Sequence, residues 1–360
     1  MSGGVDSSVA AALLAEQGHD VIGVSMRLYD AADDAHADQA GARAFGSCCS
    51  LDDLQDARRV AAAINIPHYI LDFAKQFDDL VVSNFVREYA AGRTPLPCAH
   101  CNSDLKFSTL AERAEGFGAE AIATGHYARV EHDQATGRYL LKRGLDPLKD
   151  QAYFLFSLTQ AQLAHARFPV GDRPKDEVRE YARRLGLPVA DKPDSQEICF
   201  IPDHDYAAFV TKEAPETARE GRILDEHGQT LGTHAGIHRF TVGQRKGLGL
   251  GEVQTAGPLY VLHLQPATGE VVVGPRASLE RTTLTASGVN WIAPPPGSDE
   301  RSITAQIRHR HRAAPAKVSR TGETSAAVVF DTPQLAITPG QAVVFYDDDV
   351  VVGGGWIDGS

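Results

Sequence analysis

Two groups of residues in this 360-residue chain have types and spacing that could do chemistry. The first is Cys98-Ala-His-Cys101-Asn102, set behind Thr94-Pro-Leu-Pro97, with a further cysteine downstream in Asp194-Ser-Gln-Glu-Ile-Cys199-Phe-Ile201. A cysteine near a helix N-terminus tends to have a lowered pKa and to be a competent nucleophile. The second group is Ser2-Gly-Gly-Val-Asp-Ser-Ser8. Gly3 and Gly4 lack Cβ atoms, so the backbone can take positive φ and bring N–H groups close to phosphate oxygens. Asp6 or Ser7 can cap the helix that follows, Ser8 to Gln17, and Gly18 can end it. That helix adds partial positive charge beneath a bound anion. No Lys-Ser or Lys-Thr follows the glycines, so this is not a Walker A loop.

The five cysteines, Cys48, Cys49, Cys98, Cys101 and Cys199, are odd in number and clustered, unlike a secreted disulfide framework. A reducing, cytoplasmic setting is the expectation, and there the thiols suggest chemistry. Structural zinc fits poorly, because Cys48 and Cys49 are adjacent and give no second C-x-x-C. Burial as core thiols suits Cys48 or Cys49 better than Cys98 and Cys101, which lie in a polar, Pro-rich loop. An iron–sulfur cluster held by Cys98, Cys101 and Cys199 stays open.

The elements that must position these groups follow from periodicity. Strands are expected at 21–26, 68–73 and 121–124, and helices at 51–64, 105–115, 158–168 and 175–185. Such alternation predicts an α/β domain with a doubly wound parallel sheet and ligands at the strand carboxyl ends. After about Glu213 the texture changes to short strands at 260–264, 270–274, 326–330 and 342–346, which suggest small antiparallel β modules. Pro294 to Ser298 reads as a turn or short linker. We expect a nucleotide domain over 1–212, a central β module over 213–278 and a C-terminal antiparallel β-barrel over 279–360. No strand precedes the Ser2–Ser8 loop. The expectation is therefore that Met1 is an internal methionine, and that the missing strand leaves a sheet gap and a poorly anchored loop.

The net charge of −12 argues mildly against a nucleic-acid partner, although local patches rather than totals set the binding field. Arg308-His-Arg-His-Arg312, read as a strand, would put three arginines on one face, and Gln244-Arg-Lys246 sits in a Gly-rich loop. No run is long enough to span a membrane, and no basic-plus-apolar signal opens the chain.

Over essentially its whole length the chain resembles the bacterial tRNA-specific 2-thiouridylase family. The resemblance rests on Ser2–Ser8, Thr94-Pro-x-Pro, Cys101-Asn with Lys106-Phe107, Thr124-Gly-His-Tyr-Ala128 and Lys149-Asp-Gln-x-Tyr-Phe-Leu155. It continues through Asp194-Ser…Ile-Cys-Phe-Ile201, Thr241 to Gly249 and Pro339-Gly-Gln-Ala342. It implies an adenine nucleotide alpha hydrolase-like first domain and ATP-dependent thiolation of the tRNA wobble uridine. ATP would lie on Ser2, Gly3, Gly4, Val5, Asp6 and Ser7, with Met26 and Gly125, and Mg²⁺ would bridge its phosphates. Cys101 would be the nucleophile and Cys199 the persulfide carrier. Leu96, Pro97 and Cys98 would lie against the target base. His126, Lys149, Asp150, Gln151, Arg308, His309 and Gln341 would contact tRNA. A cysteine desulfurase or sulfur-relay protein would supply sulfur. The nearest rivals are another pyrophosphate-loop synthetase, such as a lysidine-forming or amidating enzyme, and a non-catalytic RNA-binding or sulfur-carrier module.

Overall fold

The computed structural model describes residues 1–28, 51–194, 198–201, 205–251, 257–294 and 300–359. Cys48, Cys49 and most of the expected 294–298 turn lie outside the described residues. The chain divides into two compact units, one of residues 1–81, 98–204 and 349–351, the other of 82–97, 205–348 and 352–360. Among the described residues no helix is long and apolar enough to cross a membrane.

The first unit is built on helix α1 (Val5–Glu16), whose Ala-rich sequence buries Val5, Val9, Ala10, Ala12 and Leu13. Alanine is the best helix former and lets neighbouring backbones approach closely. Helix α2 (Leu51–Ala63) contributes Val60 to the same core, and helix α3 (Lys175–Arg184) contributes Val178, Tyr181 and Ala182. Strand β1 (Gly23–Arg27) pairs in parallel with β2 (His68–Asp72), with Gly23 opposite His68 and Arg27 opposite Asp72. Strand β3 (Ile122–Ala123) pairs in parallel with β6 (Ala166–Arg167), a strand cut from the C-terminal end of the expected 158–168 helix. The parallel α/β class is as expected. Among the described residues its parallel strands form two separate pairs, β1 with β2 and β3 with β6. The Ser25 hydroxyl donates to the Met1 carbonyl at 2.6 Å, beside β1. An antiparallel hairpin, β4 (Ala128–Asp133) with β5 (Arg138–Arg143), adds an edge on which Val350 and Val351 pair with Lys142 and Leu141.

The second unit holds two β assemblies. Strands β7 (Gly221–Leu224), β8 (Thr230–His234), β9 (Tyr260–Gln265) and β10 (Glu270–Gly274) form a sheet in the order β8-β7-β10-β9. One pairing departs from the antiparallel expectation: β7 and β10 run parallel, with Ile223 opposite Val271. Long connections between β8 and β9 let the chain return in the same direction, a choice that strand periodicity does not encode. Val261, Val271, Val273 and Phe240 form its core.

Strands β11 (Glu280–Trp291), β12 (Arg301–Gln306), β13 (Ala314–Gly322), β14 (Ser325–Leu335), β15 (Ala342–Asp347) and β16 (Val350–Gly359) run in the order β11-β14-β13-β12-β15-β16. Pairing of β16 back onto β11 closes the barrel and removes its edges. Phe345 is wholly buried inside and stacks on Trp291 with ring centroids 5.7 Å apart. Replacing Phe345 by Ala should cost about 3–5 kcal/mol through lost burial and the cavity left behind. Chemical denaturation followed by Trp fluorescence would register this as a lowered midpoint.

Candidate active site

The pyrophosphate-type loop is shaped by backbone constraints at three glycines. Gly4 is the N-cap of α1. The expected caps, Asp6 and Ser7, fall inside the first turn instead, because the helix begins at Val5 and not Ser8. The Ser7 and Ser8 hydroxyls turn back to the Gly4 carbonyl at 3.2 and 2.8 Å. Gly4 offers no cap oxygen to the first-turn N–H groups, an arrangement in which an anion can serve as cap. Gly3 takes φ +69°, and a Cβ there would stand 2.3 Å from the Asp53 carbonyl oxygen. Lys192 donates to the Gly3 carbonyl at 3.1 Å while binding Asp53 and Asp56 on α2 at 2.6 and 2.7 Å. Gly125, just past β3, runs so close beneath the loop that a Cβ would lie 2.5 Å from Ser7 N. Ser2 donates its backbone N–H to the Ser7 hydroxyl at 3.1 Å. Met26 is half-buried on β1, opposite Leu71.

Asp6 points away from this backbone cradle into a cluster of charge. Its carboxylate accepts from the Tyr127 hydroxyl at 2.8 Å and from Lys175 at 2.7 and 2.8 Å. The buried Lys175 also reaches Asp194 at 2.8 Å, which further accepts from Lys149 at 2.7 Å and Arg179 at 2.9 Å. Burial alone would raise the Asp194 pKa. The hydrogen bonds and charges of Lys149 and Lys175 outweigh it and lower the pKa to about 2. Burial, followed by the charge of Asp6, raises the Tyr127 pKa, so its hydroxyl keeps its proton and donates.

The cysteine residues are distributed in depth. Cys98 is exposed in the short helix Pro97–His100, Cys101 is buried at the first residue of the π-helical segment Cys101–Thr109, and Cys199 is half-buried. The chain is already helical before Cys101, so the positive helix end falls on Cys98, a correction to the dipole argument for Cys101. Behind Cys101, buried Asn102 donates to the Phe154 carbonyl at 3.1 Å and accepts from Lys106 at 3.0 Å. Among the described residues, Cys98, Cys101 and Cys199 included, no three His, Cys, Asp or Glu side chains form a metal-ligand set.

The other expected contact residues divide by what they hold. His126 bonds the Thr124 hydroxyl through Nδ1 at 2.8 Å. Its pKa is pushed well below the usual histidine value by burial and by the Lys106 charge, so it is neutral at pH 7. Gln151 is clamped to Tyr127 by two bonds of 2.9 and 3.0 Å. The Asp150 carboxylate accepts from Gly144 N, Ala152 N and Arg143. Of this triplet only Lys149 extends its charge towards Asp194.

In the second unit, Gln341 donates to the carbonyls of Thr94 and Pro95 at 3.1 Å each and so holds the segment leading to buried Leu96 and to Pro97. Arg308 to Arg312 is a loop between β12 and β13, not a strand, with Arg310 at φ +61°; the one-face alternation does not exist. A left-handed residue breaks the extended backbone on which period two depends. Arg308 and Gln341 nevertheless line one cleft of about 950 Å³, together with Arg239, Gln244 and Arg276. His309 is exposed on the loop and does not line it.

Sequence reasoning missed Lys175, Tyr127, Arg179 and the Lys192–Asp53–Asp56 clasp. A signal was present for Lys175: it shares the apolar stripe of α3 with Val178, Tyr181 and Ala182, and a lysine there requires a carboxylate partner.

A glycine-capped helix N-terminus beside parallel strands defines a nucleotide-binding α/β protein of the pyrophosphate-loop class. Family models agree and extend the assignment: a tRNA methyl transferase HUP domain matches residues 1–203, a tRNA methyl transferase PRC-barrel domain 207–275, and an aminomethyltransferase beta-barrel domain 281–357. The tRNA-specific 2-thiouridylase MnmA of Geotalea uraniireducens is 52% identical over 99% of this chain and 93% of its own length. The protein of the same name from Solibacter usitatus is 52% identical over 99% of this chain and 98% of its own. That of Clostridioides difficile is 46% identical over 100% and 97%. The chain belongs to the tRNA-specific 2-thiouridylase family. An NMN synthetase structure from Francisella tularensis aligns at TM-score 0.29 and 18% identity over 53% of this chain and 62% of that one, below what defines a shared fold.

Because the Asp194 pKa is depressed on folding, its contribution to stability is present above about pH 4 and is lost as pH falls through about 2. Asp194→Asn should destabilise the protein by about 1–3 kcal/mol at pH 7, discounted for its partial exposure, by about half as much near pH 3, and by little at pH 2 and below. Thermal melts of both proteins across that range check the convergence.

Proposed function

We propose that this protein forms 2-thiouridine in tRNA, using ATP to activate the uridine C2 oxygen and a cysteine persulfide to deliver sulfur. The observation that carries this reading is the occurrence, in one compact unit, of a glycine-capped anion loop and of Cys101 and Cys199. A ligase of the lysidine or amidating type needs the first feature and has no use for the second.

The uridine C2 oxygen is a poor leaving group. Its attack on the α-phosphorus of ATP expels pyrophosphate, which the backbone donors of Ser2–Ser7 would retain, and converts that oxygen into part of a good leaving group, AMP. Gly125, Met26 and the α1 N-terminus complete the nucleotide cradle. Mg²⁺ would supply charge neutralisation to the nucleotide phosphates beside the Ser2–Ser7 loop, where Asp6 is engaged by Tyr127 and Lys175. Cys199 carries the persulfide. The Cys101 thiolate attacks Cys199 Sγ, forming a Cys101–Cys199 bond and breaking the bond to the outer sulfur, which departs as sulfide. Sulfide adds to C2 and AMP leaves with the oxygen. A thiol reductant returns the disulfide to two thiols, and a desulfurase or relay protein reloads Cys199.

The target base would have to leave the anticodon stack to meet the Cys199 persulfide, so flipping is expected, and Leu96, Pro97 and Cys98 would lie against it. His126 and the 149–151 turn in one unit, and Arg308, His309 and Gln341 in the other, would contact the RNA. Neutral His126 serves as a hydrogen-bonding group and not as a phosphate counter-charge.

Cys101→Ser and Cys199→Ser should each lower thiouridine formation at least 100-fold, an order-of-magnitude expectation for loss of a nucleophile. Both should still release AMP when given tRNA and ATP; full thiolation by either variant overturns the mechanism. Gly125→Ala should weaken ATP binding about 10-fold or more by displacing the Asp6–Ser7 backbone, as equilibrium dialysis with labelled ATP would show.

A further inference from the structure

We propose that Lys175 is a positioning residue shared by the two halves of the reaction, fixing the nucleotide loop through Asp6 and the start of the Cys199 segment through Asp194. The inference rests on the thiolation reading, which assigns no role to Lys175 or Asp194.

The three protons of the Lys175 ammonium face three carboxylate oxygens: Asp6 Oδ1 at 2.7 Å, Asp6 Oδ2 at 2.8 Å and Asp194 Oδ1 at 2.8 Å. Its side chain is only 8% exposed. An ammonium so saturated has no proton left for a phosphate, so it acts on the nucleotide only through Asp6. Asp6 itself needs this partner, because an uncompensated carboxylate in an anion-binding loop would repel pyrophosphate. The Tyr127 ring carries the Lys175 ammonium 5.7 Å from its centroid, and its hydroxyl fixes the same Asp6 oxygen, so the loop carboxylate is held from two directions.

Asp194 is the other terminus of the bridge. It is bound by Lys149, Lys175 and Arg179 at 2.7–2.9 Å, and Cys199 follows five positions later in the sequence. Lys149 is the most exposed of the three and belongs to the turn assigned to RNA contact. Recruitment of Lys149 by an RNA phosphate would leave Asp194 held by Lys175 and Arg179. The anchor of the sulfur-carrying segment thus persists while the RNA-facing cation changes partner.

The test compares full-length wild type, Lys175→Met and Asp194→Asn, measuring AMP and thiouridine from the same tRNA reactions. Asp194→Asn should keep the ATP KM and AMP release within about 3-fold of wild type and raise the ratio of AMP to thiouridine about 10-fold. Lys175→Met should raise that ratio and also raise the ATP KM about 10-fold. A merely structural role would lower both products in proportion, and an unchanged ratio in Asp194→Asn overturns the proposal. If Lys175→Met does not fold, the isosteric Asp194→Asn still decides the coupling. Wild-type protein that releases no AMP with tRNA overturns the functional reading; the loop half is then decided by equilibrium ATP binding, and undiminished binding by Lys175→Met overturns it.

Discussion

Everything at the candidate site depends on neutralising one carboxylate. Asp6 sits in the first turn of α1, directly after the glycines that shape an anion cradle. There it benefits from the helix dipole but opposes any phosphate that approaches. The protein resolves the conflict by turning Asp6 towards buried Lys175 and the Tyr127 hydroxyl. That choice requires α3 to present a lysine on its apolar stripe, requires Asp194 to absorb the remaining donor, and draws Lys149 and Arg179 after it. The spacing between the Asp6 loop and Asp194 is thus set by charge pairing around the buried Lys175 ammonium.

Much of this architecture was legible in the sequence because its signals are local. The β1 and β2 strands and β10 lie within two residues of expectation, and α1 ends within one residue of it but starts three residues early, since periodicity and glycine stops act over a single element. Elements failed where tertiary pairing overruled local pattern. Ala166 and Arg167 read as the end of a helix but pair with β3 instead. Arg308 to Arg312 alternates like a strand, yet Arg310 takes a left-handed conformation and the run becomes a loop. Residue identity could not announce either outcome.

The site was legible in a similarly divided way. Gly3 and Gly4 declare themselves because a backbone cradle needs residues without Cβ atoms, whereas Gly125 followed from the resemblance. Lys175 on Asp6, Arg179 on Asp194 and the Lys192 clasp on Gly3, Asp53 and Asp56 are assembled from positions as far as 189 residues apart, and only the fold brings them together. Asp150 and Gln151 illustrate the converse. Their polar side chains invite a ligand role, but they accept from backbone amides and Arg143, so they shape the turn that carries Lys149.

The β4–β5 hairpin gives the first unit an unusual order of completion. Its third strand is Val350–Val351, and Arg129 pairs with Asp349 at 2.7 Å across 220 residues of sequence. During synthesis the first unit therefore waits with one hairpin edge open and Arg129 without its Asp349 partner until residues 205–348 have emerged. Because that edge exposes unpaired backbone N–H and C=O groups, it is the point at which the nascent protein is most open to pairing with another chain. The rung that closes the first unit is laid down by the opening residues of the last barrel strand.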